Sequence, residues 1–233
     1  MPHAVLEVPN HTELAAMIDH TALKPECSMK DIEKLCHEAI SLKCASVCVN
    51  PVYVPMVSRV LEGTTVKTCS VVGFPLGSNT TAQKVHEARE AMRMGAKEID
   101  MVIWVGGLKA GHTEWVGEDI AEVARACRDN HAILKVILEC CLLTDEEKRQ
   151  ASELCVQAKA NFIKTSTGFG PGGATVEDVQ LLSSIAKPAG LGVKAAGGIR
   201  TYADALRMIH AGATRIGASS SVRIIEEAKA AGA

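Results

Sequence analysis

The stretch Ala160-Asn-Phe-Ile-Lys-Thr-Ser-Thr-Gly168 joins the end of an amphipathic segment, a short apolar run and a glycine-marked turn. That is the signature of a helix running into a buried strand and out into a loop. The same register recurs at Ala96-Lys-Glu-Ile-Asp100 and at Ala213-Thr-Arg-Ile-Gly217. Outward from these anchors, strand candidates fall at 18–23, 45–50, 67–73, 98–104, 133–139, 162–166, 192–197 and 215–219. Each is followed by a helical pattern, and several helices open on a hydroxyl three residues before an acid: Ser28 with Asp31, Thr144 with Glu147, Thr175 with Asp178. Such pairs cap a helix reciprocally. The repeat is about 28 residues, the size of one βα unit. Eight units predict an α/β fold, a single (β/α)8 TIM barrel over residues 1–233, with a short N-terminal helix near Thr12 and 13–18 plugging the barrel's bottom. The alternative, an open doubly wound sheet, lacks a G-x-G-x-x-G in its first turn and a linker to a second domain.

Composition narrows the setting. The chain has 233 residues, 47% apolar and 22% charged, with a net charge of −2. No excess of basic charge points to nucleic acid. No apolar run approaches the roughly 18 residues a membrane span needs, and no leader-like segment opens the chain, so a cytoplasmic protein is expected. Nine cysteines are scattered without a C-x-x-C pair and read as reduced thiols. Eight histidines lack H-x-H or H-x-x-x-H spacing, so no metal site is expected.

Three consecutive strands carry a lysine among apolar neighbours: Lys135, Lys164 and Lys194. Taken singly, each fits an outward residue whose stem snorkels along a helix. Three together, with Asp100 and Glu139 in the same barrel, fit an inward charged cluster instead, and such clusters mark chemistry. The shared register makes Asp100, Lys164 and Gly217 equivalent positions on even strands, hence members of one inward layer. An acid and an amine then face each other, with a glycine leaving room beside them. A free lysine titrates near pH 10.4, which leaves about one amine in a thousand unprotonated at neutral pH. Nearby cations and burial are expected to lower that value by about three pH units, roughly 4 kcal/mol, giving an amine able to attack a carbonyl and form a Schiff base. A second lysine held by a carboxylate supplies the repulsion; charge counting does not rank Lys135 against Lys194 for that role. Gly197-Gly198 and Gly217-Ala-Ser-Ser220 follow strands seven and eight, where barrels of this type cradle phosphate, and Gly168 adds a third wall.

Ile18-Asp-His-Thr-Ala-Leu-Lys-Pro25, Val47-Cys-Val-Asn-Pro51, Val71-Val-Gly-Phe-Pro-Leu-Gly77, Glu98-Ile-Asp-Met101, Phe162-Ile-Lys-Thr-Ser-Thr-Gly-Phe169 and Val193-Lys-Ala-Ala-Gly-Gly-Ile-Arg200 together resemble the deoxyribose-phosphate aldolase family. The likeness runs in order from about residue 11 to the end. It implies a class I aldolase with no metal and no cofactor, acting on a small sugar phosphate. By the same resemblance Lys164 is the Schiff-base lysine, Lys194 its perturbing neighbour, and Asp100 the acid working with Lys194 in proton transfer. The resemblance also implies that Asp19, Thr21 and Cys48 line the sugar pocket, with Lys135 supporting. Thr167 is read as a substrate contact in the lip of the phosphate end, and Gly168, Gly197, Gly198, Gly217, Ser219 and Ser220 surround the phosphate. Without the resemblance, Cys48 reads as a small core thiol and Asp19 as a turn cap. The tyrosine that some family members carry in a C-terminal tail has no counterpart in Tyr53 or Tyr202, so proton transfer is expected to rest on Lys194, Asp100 and water. A homo-oligomer, dimer or tetramer, is the expected assembly.

Overall fold

The computed structural model describes residues 8–233; the first seven residues of the expected span, His3 among them, lie outside the described residues. Eight strands run parallel: β1 (Ile18–Ala22), β2 (Ser46–Val49), β3 (Lys67–Val72), β4 (Glu98–Val102), β5 (Ile133–Ile137), β6 (Phe162–Lys164), β7 (Gly192–Ala196) and β8 (Arg215–Ala218). They pair in chain order, and β8 returns to β1, closing the barrel. Every expected strand is present, each ending one or two residues early at its C-terminal end. Those residues leave the hydrogen-bond ladder to become the loops of the upper rim.

The helices are α1 (His11–Ala15), α2 (Met29–Leu42), α3 (Val54–Val60), α4 (Thr81–Arg93), α5 (Val105–Lys109), α6 (Thr113–Asp129), α7 (Asp145–Gln157), α8 (Val176–Ala186), α9 (Tyr202–His210) and α10 (Ser221–Ala230). Ser28 with Asp31 and Thr144 with Glu147 form reciprocal caps. Thr175 caps only one way: its hydroxyl accepts from Asp178 N, while the Asp178 carboxylate turns to Lys148 Nζ at 2.6 Å and ties α8 to α7. Among the described residues no helix is long and apolar enough to cross a membrane.

Period-two alternation divides the interior. Val47, Val49, Ile99, Met101, Val136, Ile163 and Ile216 face outward and are sealed beneath the helices in the main apolar core. Cys48, Cys69 and Val71 face the other way and form a small separate cluster with Leu23. The short N-terminal helix is present as α1, with Leu14 and Ala15 buried in the main core. Helix α1 packs against α10, with His11 Nδ1 2.8 Å from Ala233 O. The lower end of the barrel is filled from within, the Arg215 guanidinium lying 5.2 Å over the Phe162 ring.

One loop constraint is sharp. Gly77 adopts φ 69°, and a Cβ there would stand 1.8 Å from the Ile103 carbonyl oxygen. Gly63 has φ 77° with open space around it. Gly77→Ala is therefore expected to destabilise the fold by about 3 kcal/mol or more, and Gly63→Ala by only about 1–2 kcal/mol, the cost of left-handed backbone alone. Urea denaturation of both variants checks the difference.

Candidate active site

Strands β4 to β8 and β1 turn their polar residues into the barrel, because the helices take the alternate apolar ones. Asp100 is the hub. Its Oδ2 accepts from Lys164 Nζ and Lys194 Nζ, each at 2.7 Å, and its Oδ1 from Lys135 Nζ at 2.8 Å. Cys69 Sγ lies 3.3 Å from the same Oδ1. Asp19 forms a second hub, with Oδ2 2.5 Å from Lys194 Nζ and 3.3 Å from Lys135 Nζ. Its Oδ1 accepts from the Ser46 hydroxyl and from Arg215 Nη1, each at 2.7 Å. Glu98 completes the set, 2.6 Å from Lys135 and 3.1 Å from Arg215.

All of these groups except Arg215, 12% exposed, are almost fully out of water. Burial raises the Asp19 carboxyl, but Lys135, Lys194 and Arg215 outweigh it and hold the group well below the usual carboxylate range. Burial likewise opposes ionisation of Asp100, and Lys135, Lys164 and Lys194 reverse that, again leaving it strongly depressed. Burial lowers Lys135 and Lys194, and Asp100 with Asp19 overcomes it, so both ammonium groups end above the ordinary lysine value.

Above the network opens a cavity of about 660 Å³ at the C-terminal ends of the strands. Lys164 is the one lysine of the buried trio on its wall, beside Thr21, Thr167 and Gly217. Gly217 has the expected role of making room: a Cβ there would sit 3.0 Å from Lys194 Cε. At the other end stand Gly168, Gly197, Gly198 and Ser219. Gly168, Gly197 and Gly198 take φ of 86°, 87° and 81°, and their N–H groups have no protein acceptor among the described residues. Thr167 is fixed by Glu139, whose carboxylate accepts from its N–H at 3.2 Å and from its hydroxyl.

Several expectations change. Asp19 does not line the cavity; at 0% exposure it is a floor group neutralising Lys194 and Arg215. Lys135 and Cys48 are also at 0% exposure and do not border the cavity. Ser220 stands at the start of α10, off the wall that Ser219 forms. Glu139 belongs to the rim, not to the lysine cluster. Arg215 and Glu98 were not anticipated, although each lies two residues before an inward position, Gly217 and Asp100, and alternation marks them as inward too. Arg200, on the cavity wall next to the glycine pair, was also missed. Cys48, Cys69 and Asp100 bring possible metal-ligating atoms within 4.8 Å of one another. Ammonium groups already occupy that donor set, Lys135 Nζ lying 3.2 Å from Cys69 Sγ.

The DeoC/LacD family aldolase profile matches residues 12–232. The chain belongs to the DeoC/LacD aldolase family. A deoxyribose-phosphate aldolase of Carboxydothermus hydrogenoformans is 54% identical over 218 residues, covering 92% of this chain and 95% of the relative. One from Caldanaerobacter subterraneus is 53% identical over 220 residues, covering 94% and 95%. The tetrameric deoxyribose phosphate aldolase structure from Aeropyrum pernix superposes with a TM-score of 0.89 at 36% identity, over 95% of this chain and 93% of that one. In this DeoC/LacD aldolase the lysine network and the cavity above it thus sit on a barrel shared along nearly its whole length.

The depressed carboxyls set a pH dependence. Asp19 and Asp100 titrate lower in the folded chain than in the unfolded one, where aspartates titrate near 3.9. Their stabilisation is fully present above that value and is lost as pH falls below it, at about 1.4 kcal/mol per pH unit for each. Urea midpoints are expected to hold between about pH 7 and 5 and to fall steeply below about pH 4. A profile flat to about pH 3 would contradict the paired state of both carboxylates.

Proposed function

We propose that this chain reversibly cleaves 2-deoxy-D-ribose 5-phosphate to D-glyceraldehyde 3-phosphate and acetaldehyde, through a Schiff base on Lys164. One observation carries the assignment of the nucleophile. Of the three inward lysines, Lys164 alone borders the cavity and has a single carboxylate contact, whereas Lys194 has two and Lys135 three. An amine held by several carboxylates in a sealed interior is a structural cation; one at the cavity wall reaches a substrate.

In the proposed mechanism Lys164 attacks the C1 aldehyde of the open-chain sugar, and loss of water gives a protonated imine. The imine draws electrons from the C2–C3 bond as the C3 hydroxyl gives up its proton. Glyceraldehyde 3-phosphate leaves, and the enamine on Lys164 is protonated at C2 and hydrolysed to acetaldehyde. Asp100 Oδ2, shared by both amines, links Lys164 to Lys194 and supports proton movement between them. The N–H groups of Gly168, Gly197 and Gly198 form the anion cradle, Ser219 adds a polar wall, and Arg200 supplies the charge at its edge. Lys135 and Asp19 hold the floor.

Nine free thiols support a reducing, cytoplasmic setting. A homo-oligomer is proposed on the likeness to the tetrameric Aeropyrum pernix enzyme, and light scattering on the purified chain measures it.

Two outcomes are expected. Borohydride added with substrate should leave a mass adduct on the peptide carrying Lys164 and inactivate the enzyme, and Lys164→Ala should abolish both activity and adduct; an adduct on Lys135 or Lys194 would overturn the assignment. Arg200→Ala should raise KM for the phosphorylated sugar about five- to tenfold with kcat within about twofold, since one exposed charged hydrogen bond is lost. The same variant should leave turnover of unphosphorylated 2-deoxyribose unchanged, and steady-state kinetics on both sugars reads the contrast.

A further inference from the structure

A second cavity, of about 490 Å³, opens on the upper rim between the β3–α4 connection and α6. Ser78, Asn79 and Thr80 form one wall, Trp104 and Trp115 another, and Glu118 and Asp119 the third. None of these residues borders the lysine cavity.

The aromatic wall is built, not incidental. Trp104, His112 and Trp115 stack almost parallel, with ring centroids 4.8 to 6.3 Å apart and planes within 10–22°. Trp104 lies flat on Gly107, where a Cβ would stand 2.2 Å from the indole. Trp115 is 59% exposed, so this wall is not explained by packing in the core.

The third wall carries an unmet need. Asp119 is 4% exposed, and its Oδ2 accepts from Lys84 Nζ at 2.5 Å. Lys84 is itself fully buried and donates a second bond to Val102 O at 2.9 Å. The other oxygen, Asp119 Oδ1, is buried with no hydrogen-bond partner among the described residues. Buried acceptors are nearly always satisfied, so an orphan at a cavity wall asks for a donor from a ligand. Burial pushes the Asp119 carboxyl up, and Lys84 and the Thr81 hydroxyl beside it, Thr81 also on the cavity wall, oppose that without reversing it. Glu118 adds a second carboxylate at the exposed edge.

Indole faces attract cations, carboxylates attract cations, and an unpaired carboxylate oxygen takes an N–H. An anionic ligand meets repulsion from all three. We infer that the rim cavity between Trp104, Trp115 and Asp119 is a binding site for a small organic ammonium ion. Its charge and alkyl part rest on the indoles, one N–H meets Asp119 Oδ1, and Glu118 balances the charge at the mouth.

The two tryptophans of the chain are Trp104 and Trp115, so indole emission reports on this wall alone. The experiment titrates the full-length protein with n-butylammonium chloride at constant ionic strength, without aldehyde, with n-butanol and sodium butyrate as matched neutral and anionic probes. A saturable emission change is expected for butylammonium, with both other probes at least about tenfold weaker. Glu118→Gln and Trp115→Leu, both at exposed positions, should each raise the half-saturating concentration at least about fivefold while Trp104 still reports. Retro-aldol activity and the thermal midpoint of both variants should match the parent, which separates loss of the site from loss of the fold. No saturation up to about 0.1 M, an equal response to butanol, or half-saturation unmoved in both variants would overturn the inference. Because the readout is binding at a wall remote from Lys164, its failure leaves the aldolase reading intact.

Discussion

The interior of this barrel depends on one carboxylate shared by three ammonium groups. A lone aspartate sealed inside a protein is prohibitively unfavourable, as is a lone lysine. Asp100 meets Lys135, Lys164 and Lys194 at 2.7–2.8 Å, and the desolvation of each is offset by the others. Asp19, Glu98 and Arg215 extend the same arrangement downward. The apolar core that stabilises the fold lies outside the strands, against the helices. The space inside, which apolar layers fill in many such barrels, is given over to charge. Removing any one member leaves a buried charge exposed to the rest, so the network behaves as a rigid unit that fixes where each amine points.

Much of this architecture is legible in the sequence, and the reason is periodicity. Parallel strands buried on both faces read as continuous apolar runs, and the helices between them announce their starts through capping pairs. The strand ends were overextended because residues such as Thr165 and Ser166 stay buried after the ladder stops. Alternation also identifies which side chains face inward, which is how Asp100 and Lys164 come together from a shared Ala-x-x-Ile register. Carried two residues further back, it reaches Glu98 and Arg215.

Depth along the barrel axis is another matter. Whether an inward residue reaches the cavity or lies beneath it depends on the stagger between neighbouring strands, and no local pattern encodes that. Here Asp100 pairs with Lys135, Ile137 with Lys164, and Asp19 with Gly217. Lys135 is therefore drawn level with Asp100, and Lys164 is set one pleat higher, beside Lys194. Asp19 and Cys48 face inward but stay off the cavity wall, although their register partners Gly217 and Thr21 stand on it. Register thus separates Lys135 from Lys164 and Lys194, which share one level, and the second carboxylate that Lys194 meets, Asp19, sets those two apart.

Register also bears on the chemistry through charge balance. Lys135, Lys164, Lys194 and Arg215 present four cations to the three carboxylates of Asp19, Glu98 and Asp100. With every lysine protonated the network carries one positive charge in excess, and attack on an aldehyde requires one amine to give up its proton. At Lys135 that loss would uncover three carboxylate contacts, and at Lys194 two. At Lys164 it uncovers a single contact, on an Asp100 oxygen that Lys194 still holds at 2.7 Å. Releasing the proton there brings the interior into balance instead of creating a buried negative charge. When water is lost and the protonated imine forms, the positive charge returns to the same nitrogen beside the same oxygen. The proposed cycle therefore moves the interior between a balanced state and one with a single extra cation, and at no step leaves a carboxylate without its partner.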